Sequence, residues 1–215
     1  MRQRQNCIMR FLPVASVSVF LCLALPLVAD APSDYKGLPE TGTALAVPGK
    51  IPAIGYDEAP GGAPDITFSK HGKTSKSPFR KSADAIGIAT FGKGHVTTKG
   101  EAEAPDQAYV GWTQPGEWLK YTLDVKEAGT YVIGAKVAAG STGATLRFTF
   151  TSGADSGEVE IPTTAGFQPG VEVYHVWETL DHLAEVTLPA GPCVMTVAIG
   201  KTAGLNLETF TLTKR

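Results

Sequence analysis

Short segments in which apolar and polar residues alternate, separated by turn-forming residues, make up most of the chain from Val47 onward. The pattern is clearest where Leu119, Tyr121 and Leu123 alternate with polar neighbours. Such alternation places apolar side chains on one face of a β-strand, and no apolar stripe with the helical period of about 3.6 residues extends beyond one turn. The sequence therefore predicts an all-β fold, an antiparallel β-sandwich of jelly-roll-like type, with further runs at 131–138, 146–150, 186–188, 193–199 and 205–212.

The N-terminus has the features of an export signal. Arg2, Arg4 and Arg10 give it a positive start, an apolar run follows, and Ala29 supplies a small residue for cleavage. This pattern predicts a signal peptide over residues 1–29 and a secreted or periplasmic protein, with an uncleaved membrane anchor as the alternative. No later stretch approaches the ~20 apolar residues of a membrane helix, so no membrane span is expected after cleavage.

Charge balance and cysteine count exclude several classes of protein. The chain has 19 Lys and Arg against 21 Asp and Glu, so it lacks a broad basic surface and no nucleic-acid partner is expected. Three cysteines are too few for a disulfide framework or a four-cysteine zinc site. Signal cleavage would leave only Cys193, which shares a predicted strand face with Met195 and Val197. We therefore predict a buried thiol at that position.

Composition divides the remaining chain into two parts. Residues 30–46 are rich in small and turn-forming types without a hydrophobic period, which predicts a flexible tether. Residues 47–215 form the predicted sandwich. A basic insertion lies near residues 69–100, and a solvated loop around one strand is the favoured interpretation. Contact with an acidic polymer is the alternative for that insertion.

Three stretches carry a specific resemblance to a known family. The sequence reads YVGWTQPGEWLKYTLDV over 109–125, TLPAG over 187–191, and GLNL over 204–207 followed by Phe210. These residues resemble the central and final motifs of the family 6 carbohydrate-binding modules, and the match extends loosely over 47–215. The resemblance implies a β-sandwich that binds sugar chains without cleaving them and that normally accompanies a polysaccharide-degrading enzyme.

The resemblance also implies a sugar-binding site. A sugar ring has an apolar face and a rim of hydroxyls, so a protein holds it with an aromatic plane and polar side chains at the edge. Trp112 matches the aromatic residue of one cleft wall, and Asn206 matches the family's final polar contact. Tyr174 matches the ligand-facing position of the second wall, and Trp177 its second, more structural position. The alternatives are a core-capping tryptophan at Trp112 and a turn residue at Asn206.

No cofactor is expected, and the family's usual calcium site is predicted to be absent. Ile54 and Ile88 stand where the family usually has acidic residues, and a hydrocarbon side chain offers no oxygen to Ca²⁺. Apolar packing is expected at both positions. Asp57, Glu58 and Asp65 are near but lie in a stretch rich in Pro and Gly, which predicts solvated carboxylates.

Catalysis is not expected. Glu158 and Glu160 share a predicted strand face on an exposed edge. Asp181 and Glu185 bracket His182 at near-helical spacing, but neither His175 nor His182 matches a metal-binding motif. No Gly-x-Ser-x-Gly motif or phosphate-binding loop is present in the sequence. We therefore predict a noncatalytic protein with a glycan partner. The alternative is a structural or protein-interaction sandwich on the cell envelope that has lost sugar binding.

Overall fold

The computed structural model describes residues 34–59, 65–69, 79–80, 86–105, 107–166, 170–202 and 204–215. The predicted signal peptide, residues 1–29, lies outside this part of the chain, as does much of the predicted basic insertion. Where the chain is described, none of its helices combines the length and the apolar character that a membrane crossing demands.

The protein is a β-sandwich of two sheets, as predicted. Among the described residues, two three-residue 3₁₀ helices lie between strands, at Ala53–Gly55 and Val173–His175. The strands of the described residues are β1 (Leu45–Val47), β2 (Gly49–Pro52), β3 (Phe68–Ser69), β4 (Ile88–Thr90), β5 (Val96–Thr97), β6 (Ala108–Val110), β7 (Trp118–Val125), β8 (Gly129–Ala139), β9 (Ala144–Phe150), β10 (Asp155–Ile161), β11 (Val176–Leu188), β12 (Gly191–Lys201) and β13 (Leu205–Lys214).

The first sheet has the strand order β1-β7-β12-β9-β10, and β3 also pairs with β7. The second sheet has the order β4-β6-β13-β8-β11-β5, and β2 also pairs with β13. The pairings of β1 with β7 and of β5 with β11 are parallel, and the other described pairings are antiparallel. The sandwich is therefore mostly antiparallel, with a parallel strand at one edge of each sheet.

Alternation along the strands positions the core as the sequence predicts. In β7, Leu119, Tyr121 and Leu123 are fully buried, while the residues between them are partly exposed. Burying one such large apolar side chain stabilises the fold by roughly 1.5–3 kcal/mol. Cys193 in β12 is a buried free thiol, which confirms the prediction for that residue. Trp118 lies on the other face of β7, partly exposed, with the Lys120 ammonium 4.9 Å from its ring centre.

Part of the segment predicted as a tether packs against the sandwich. Leu38 and Glu58 form an antiparallel bridge, and the hydroxyl of Tyr35 donates to a carboxylate oxygen of Asp57 at 2.9 Å. Strand β1 then pairs in parallel with β7. The paired part of residues 34–46 is therefore not a free linker. Composition does not reveal this pairing, because hydrogen bonds between backbone groups do not require a hydrophobic period in the sequence.

The prediction of a solvated carboxylate is wrong for Asp57. It is 1% exposed, and its carboxylate accepts hydrogen bonds from the Thr122 backbone N–H at 2.9 Å and from the Thr122 hydroxyl at 2.6 Å. Burial raises the pKa of Asp57, and the hydrogen bonds from Thr122 and Tyr35 oppose that rise. Asp65 is exposed, as expected.

Arg80 is likewise buried, although the basic insertion that contains it was predicted to be a solvated loop. Its side chain is fully buried and donates to the backbone carbonyl oxygens of Ile54 at 3.0 Å and Tyr56 at 2.5 Å. It also lies 3.1 Å from the carboxylate of Glu58 and 3.2 Å from the carbonyl oxygen of Asp57. The guanidinium therefore supplies donors to a turn whose carbonyl groups are removed from water.

Candidate functional site

A cleft of about 390 Å³ lies at the end of the sandwich where β6, β12 and β13 meet their loops. Trp112, Tyr174 and Asn206, three of the four predicted site residues, line it together. The other lining residues, which were not predicted as site residues, are Tyr109, Thr113, Gln114, His175, Thr202 and Gly204.

Strand register explains why Trp112 and Asn206 meet although they are far apart in the chain. Val110 on β6 pairs with Leu207 on β13 in an antiparallel ladder. The next residues outward are therefore Gly111 and Asn206, and a Cβ atom at position 111 would lie only 3.0 Å from the Asn206 Oδ1. Trp112 is therefore the next residue along the chain after the one that faces Asn206, and both line the cleft.

Trp112 presents its ring outward through an uncommon backbone conformation. Its φ is 53°, in the left-handed region that bulky residues rarely adopt, and the residue is 51% exposed. The following residue anchors the loop, because the buried Thr113 hydroxyl donates to the Leu205 carbonyl at 2.7 Å. This exposed fraction argues against the alternative of a core-capping tryptophan, because a loop would cover such a residue.

Tyr174 also lines the cleft, from the 3₁₀ helix Val173–His175 that leads into β11. It is 40% exposed, and its backbone carbonyl accepts a hydrogen bond from Asn206 Nδ2 at 2.7 Å. Asn206 thus bonds to a residue distant in the chain and not to a local turn. The amide retains its second N–H and its Oδ1 on the floor of the cleft.

Trp177 is the predicted site residue that does not line the cleft. It is 1% exposed and packs with Phe91, Tyr109 and Ala138 in a small cluster separate from the main core. Its indole N–H donates to the Nδ1 of His95 at 3.1 Å. A ring buried in this way offers no face to a ligand. The predicted site is corrected here: Trp177 holds the structural position that the resemblance implies and does not contact a ligand.

Two stacked histidines connect this cluster to the cleft. The rings of His95 and His175 have centres 3.9 Å apart and an angle of 22° between their planes. Burial, with a smaller contribution from His175, lowers the pKa of His95 to about 4. Burial also lowers the pKa of His175, against an opposing effect of Glu172. Both imidazoles are therefore neutral at pH 7.

The lining residues missed by sequence reasoning are mostly neighbours of those it found. Thr113 and His175 directly follow Trp112 and Tyr174, and Tyr109 opens the motif that carries the resemblance. Nothing in the local sequence distinguishes these cleft-lining residues from ordinary turn and strand residues. Their approach depends on the pairing of β6 with β13 and on the path of the chain into β11.

The described residues do not fit the calcium site that the resemblance implies. Ile88 is buried in the main core, and Ile54 packs against that core, so neither side chain supplies an oxygen. Across the described ranges, no group of three His, Cys, Asp or Glu side chains is close enough to hold a metal ion.

The carboxylates considered for catalysis lie outside the cleft. Glu158 and Glu160 are exposed on β10, the edge strand of the first sheet. Asp181 and His182 are exposed at an irregularity in β11, and His182 Nε2 lies 3.8 Å from the Glu185 carboxylate. The described cleft lining contains amides, hydroxyls, aromatic rings and one imidazole, which suits recognition of a polar ligand with an apolar face.

The chain is similar to solved structures of carbohydrate-binding modules. A β-1,3-glucan-binding family 6 module from Bacillus halodurans is 15% identical, with a TM-score of 0.50 over 79% of this chain and 98% of its own. A family 6 module of Cellvibrio mixtus lichenase 5A, solved with cellotriose, is 27% identical, with a TM-score of 0.43 over 60% of this chain and 86% of its own. A search of curated proteins finds no match.

The likeness to the Bacillus halodurans module shows a shared fold. In addition, residues 89–214, more than half of the chain, match the family described as Carbohydrate binding module (family 6). Modules of this family bind carbohydrate without catalysing its cleavage. The protein belongs to the family 6 carbohydrate-binding modules.

Proposed function

We propose that the cleft binds an uncharged glycan, with a sugar ring against Trp112 and Tyr174 and with Asn206 at its hydroxyl rim. The observation that carries this proposal is the exposure of two aromatic rings over one preformed cleft whose floor holds a side-chain amide. Exposed aromatic surface of this kind also favours ligand binding over a purely structural role on the cell envelope.

The aromatic walls supply the apolar part of the interaction. The C–H face of a pyranose ring and the face of an indole or phenol are both apolar, so stacking removes both from water. Trp112 offers the larger plane and is held by its anchored loop, so little conformational freedom is lost when a ligand binds.

The polar groups of the cleft supply orientation. Asn206 can donate one amide hydrogen and accept at Oδ1, and Gln114 and Thr202 place a second amide and a hydroxyl on the lining. None of the described lining residues is an Asp, Glu, Lys or Arg, and His175 is neutral at pH 7. This inventory favours a neutral saccharide over one that carries carboxylates or sulfates.

Affinity electrophoresis tests the proposal. Gels containing xylan, β-glucan or agarose should retard the wild-type protein on at least one polysaccharide, and Trp112→Ala should abolish the retardation. Trp118→Ala, which removes a partly exposed tryptophan outside the cleft, is the matched control and should migrate like wild type. Unretarded wild-type protein on the whole panel, or equal retardation of Trp112→Ala, would contradict the proposal.

We also infer export to the periplasm or the cell exterior, supported by the charged, apolar and small-residue pattern of residues 1–29. Cell fractionation followed by intact mass measurement tests this inference. Cleavage after Ala29 in the periplasmic or culture fraction is the expected result, and an intact N-terminus retained in the membrane fraction is the opposing one.

A further inference from the structure

The side of the cleft that carries Tyr174 rests on a column of aromatic and imidazole rings. His175 follows Tyr174 and stacks on His95 with ring centres 3.9 Å apart. His95 in turn accepts the indole hydrogen bond of Trp177 at 3.1 Å, and Trp177 packs against Phe91 with ring centres 4.6 Å apart. His95 is thus the member that touches both the cleft-lining imidazole and the buried indole.

The hydrogen bond fixes the protonation state that this column requires. An indole N–H can only donate, so Nδ1 of His95 must be the unprotonated acceptor and its proton must lie on Nε2. Protonating Nδ1 would bring two N–H donors together over that 3.1 Å distance. It would also place a positive charge against the stacked ring of His175.

We propose that neutral His95 is a positioning residue for the glycan site, and that its protonation loosens the side of the cleft formed by His175 and Tyr174. The inference rests on the proposed function of the cleft. The pKa of about 4 agrees with it, because burial among these rings favours the neutral imidazole.

Other charged and titratable groups surround His95 and define the controls. His175 contacts His95 from the 3₁₀ helix, Glu172 acts on His175, and Tyr109 approaches His95 from β6. Glu103 donates its backbone N–H to the His95 carbonyl at 3.0 Å, and its carboxylate pairs with Lys136 at 2.7 Å. Because several ionisable groups lie around the column, a pH profile of wild type alone would not isolate His95.

The variant His95→Gln isolates it, because a glutamine oxygen can accept the indole hydrogen bond but does not protonate. His182→Gln removes an exposed histidine far from the column and is the matched control.

Binding of cellotriose and of laminarin, a soluble β-1,3-glucan, is measured by calorimetry from pH 7 to pH 3. For wild type and His182→Gln we expect affinity about twofold lower at pH 4 and about tenfold lower at pH 3. His95→Gln should bind nearly as well as wild type at pH 7 and lose this dependence.

NMR titration of the histidine and Tyr174 ring signals gives a readout that needs no glycan. We expect the Tyr174 signals of wild type to move with the midpoint of His95 and to stay in place in His95→Gln. Saturating sugar should lower the pKa of His95 further, since ligand and proton compete through linkage. Tyr174 signals that do not follow the titration of His95, or an affinity profile unchanged in His95→Gln, would overturn the inference. Failure of both sugars to bind at pH 7 would count against the proposed function, while the glycan-free titration would still decide the role of His95.

Discussion

The side-chain amide of Asn206 donates a hydrogen bond to the backbone carbonyl of Tyr174, with 2.7 Å between nitrogen and oxygen. The bond joins β13 to the 3₁₀ helix before β11, and thereby joins the floor of the cleft to its second aromatic wall. Asn206 is 6% exposed and lines the cleft, so most of its surface packs within the protein.

Replacing Asn206 with alanine should therefore weaken glycan binding by about tenfold or more. The change leaves the Tyr174 carbonyl without its donor, which costs on the order of 1–3 kcal/mol, and it removes the amide proposed to meet the sugar. Calorimetry on the polysaccharide that retards wild type measures the loss. Thr213→Ala, an exposed position on the same strand, should bind like wild type. Equal affinities of Asn206→Ala and Thr213→Ala would exclude Asn206 from the site.

Gly111→Ala tests how closely the cleft floor is packed. An added Cβ would lie 3.0 Å from both the Asn206 Oδ1 and a ring carbon of Tyr109, so both groups must shift. Such overpacking costs about 1–3 kcal/mol, and we expect affinity to fall by about tenfold. Gly92→Ala is the control, because a Cβ there meets no atom within 4 Å. Wild-type affinity in Gly111→Ala would show that glycan binding does not depend on the close packing of Asn206 and Tyr109 around position 111.

The fold was predictable because alternation within each strand is local. The resemblance to the family placed Trp112, Tyr174 and Asn206 in one predicted site, and all three line the cleft. Arg80 and Asp57 were wrongly expected to be solvated, since their hydrogen-bond partners are more than 20 residues away. Propensity and composition carry no information about such distant donors and acceptors. The burial of Trp177 likewise depends on strands that come together only in the folded protein.

The buried guanidinium of Arg80 should be a major contributor to stability. Arg80→Met removes the donors to three backbone carbonyls and leaves Glu58 without its cation, so we expect a loss of roughly 3–5 kcal/mol in the free energy of unfolding. Urea unfolding monitored by circular dichroism measures it. Arg215→Met removes an exposed ion pair with Glu185 and should cost no more than about 1 kcal/mol. Similar losses for the two variants would contradict the structural role of Arg80.

Chelation tests the chemistry of the positions held by Ile54 and Ile88. Because neither side chain can coordinate a hard cation, EDTA should leave the Tm of the protein unchanged, and added calcium should not raise it. Differential scanning calorimetry with and without chelator provides the comparison. A decrease of several degrees in EDTA would show that calcium is held elsewhere on the chain.

The most direct measurement follows the indole N–H signals of the three tryptophans by NMR during titration with the sugar that binds in electrophoresis. If the sugar stacks in the cleft, the Trp112 signal shows the largest saturable shift, with the Kd obtained by calorimetry. The Trp118 signal should stay in place, because that ring lies on the outer face of β7. A saturable shift of Trp118 with no change at Trp112 would contradict binding in this cleft.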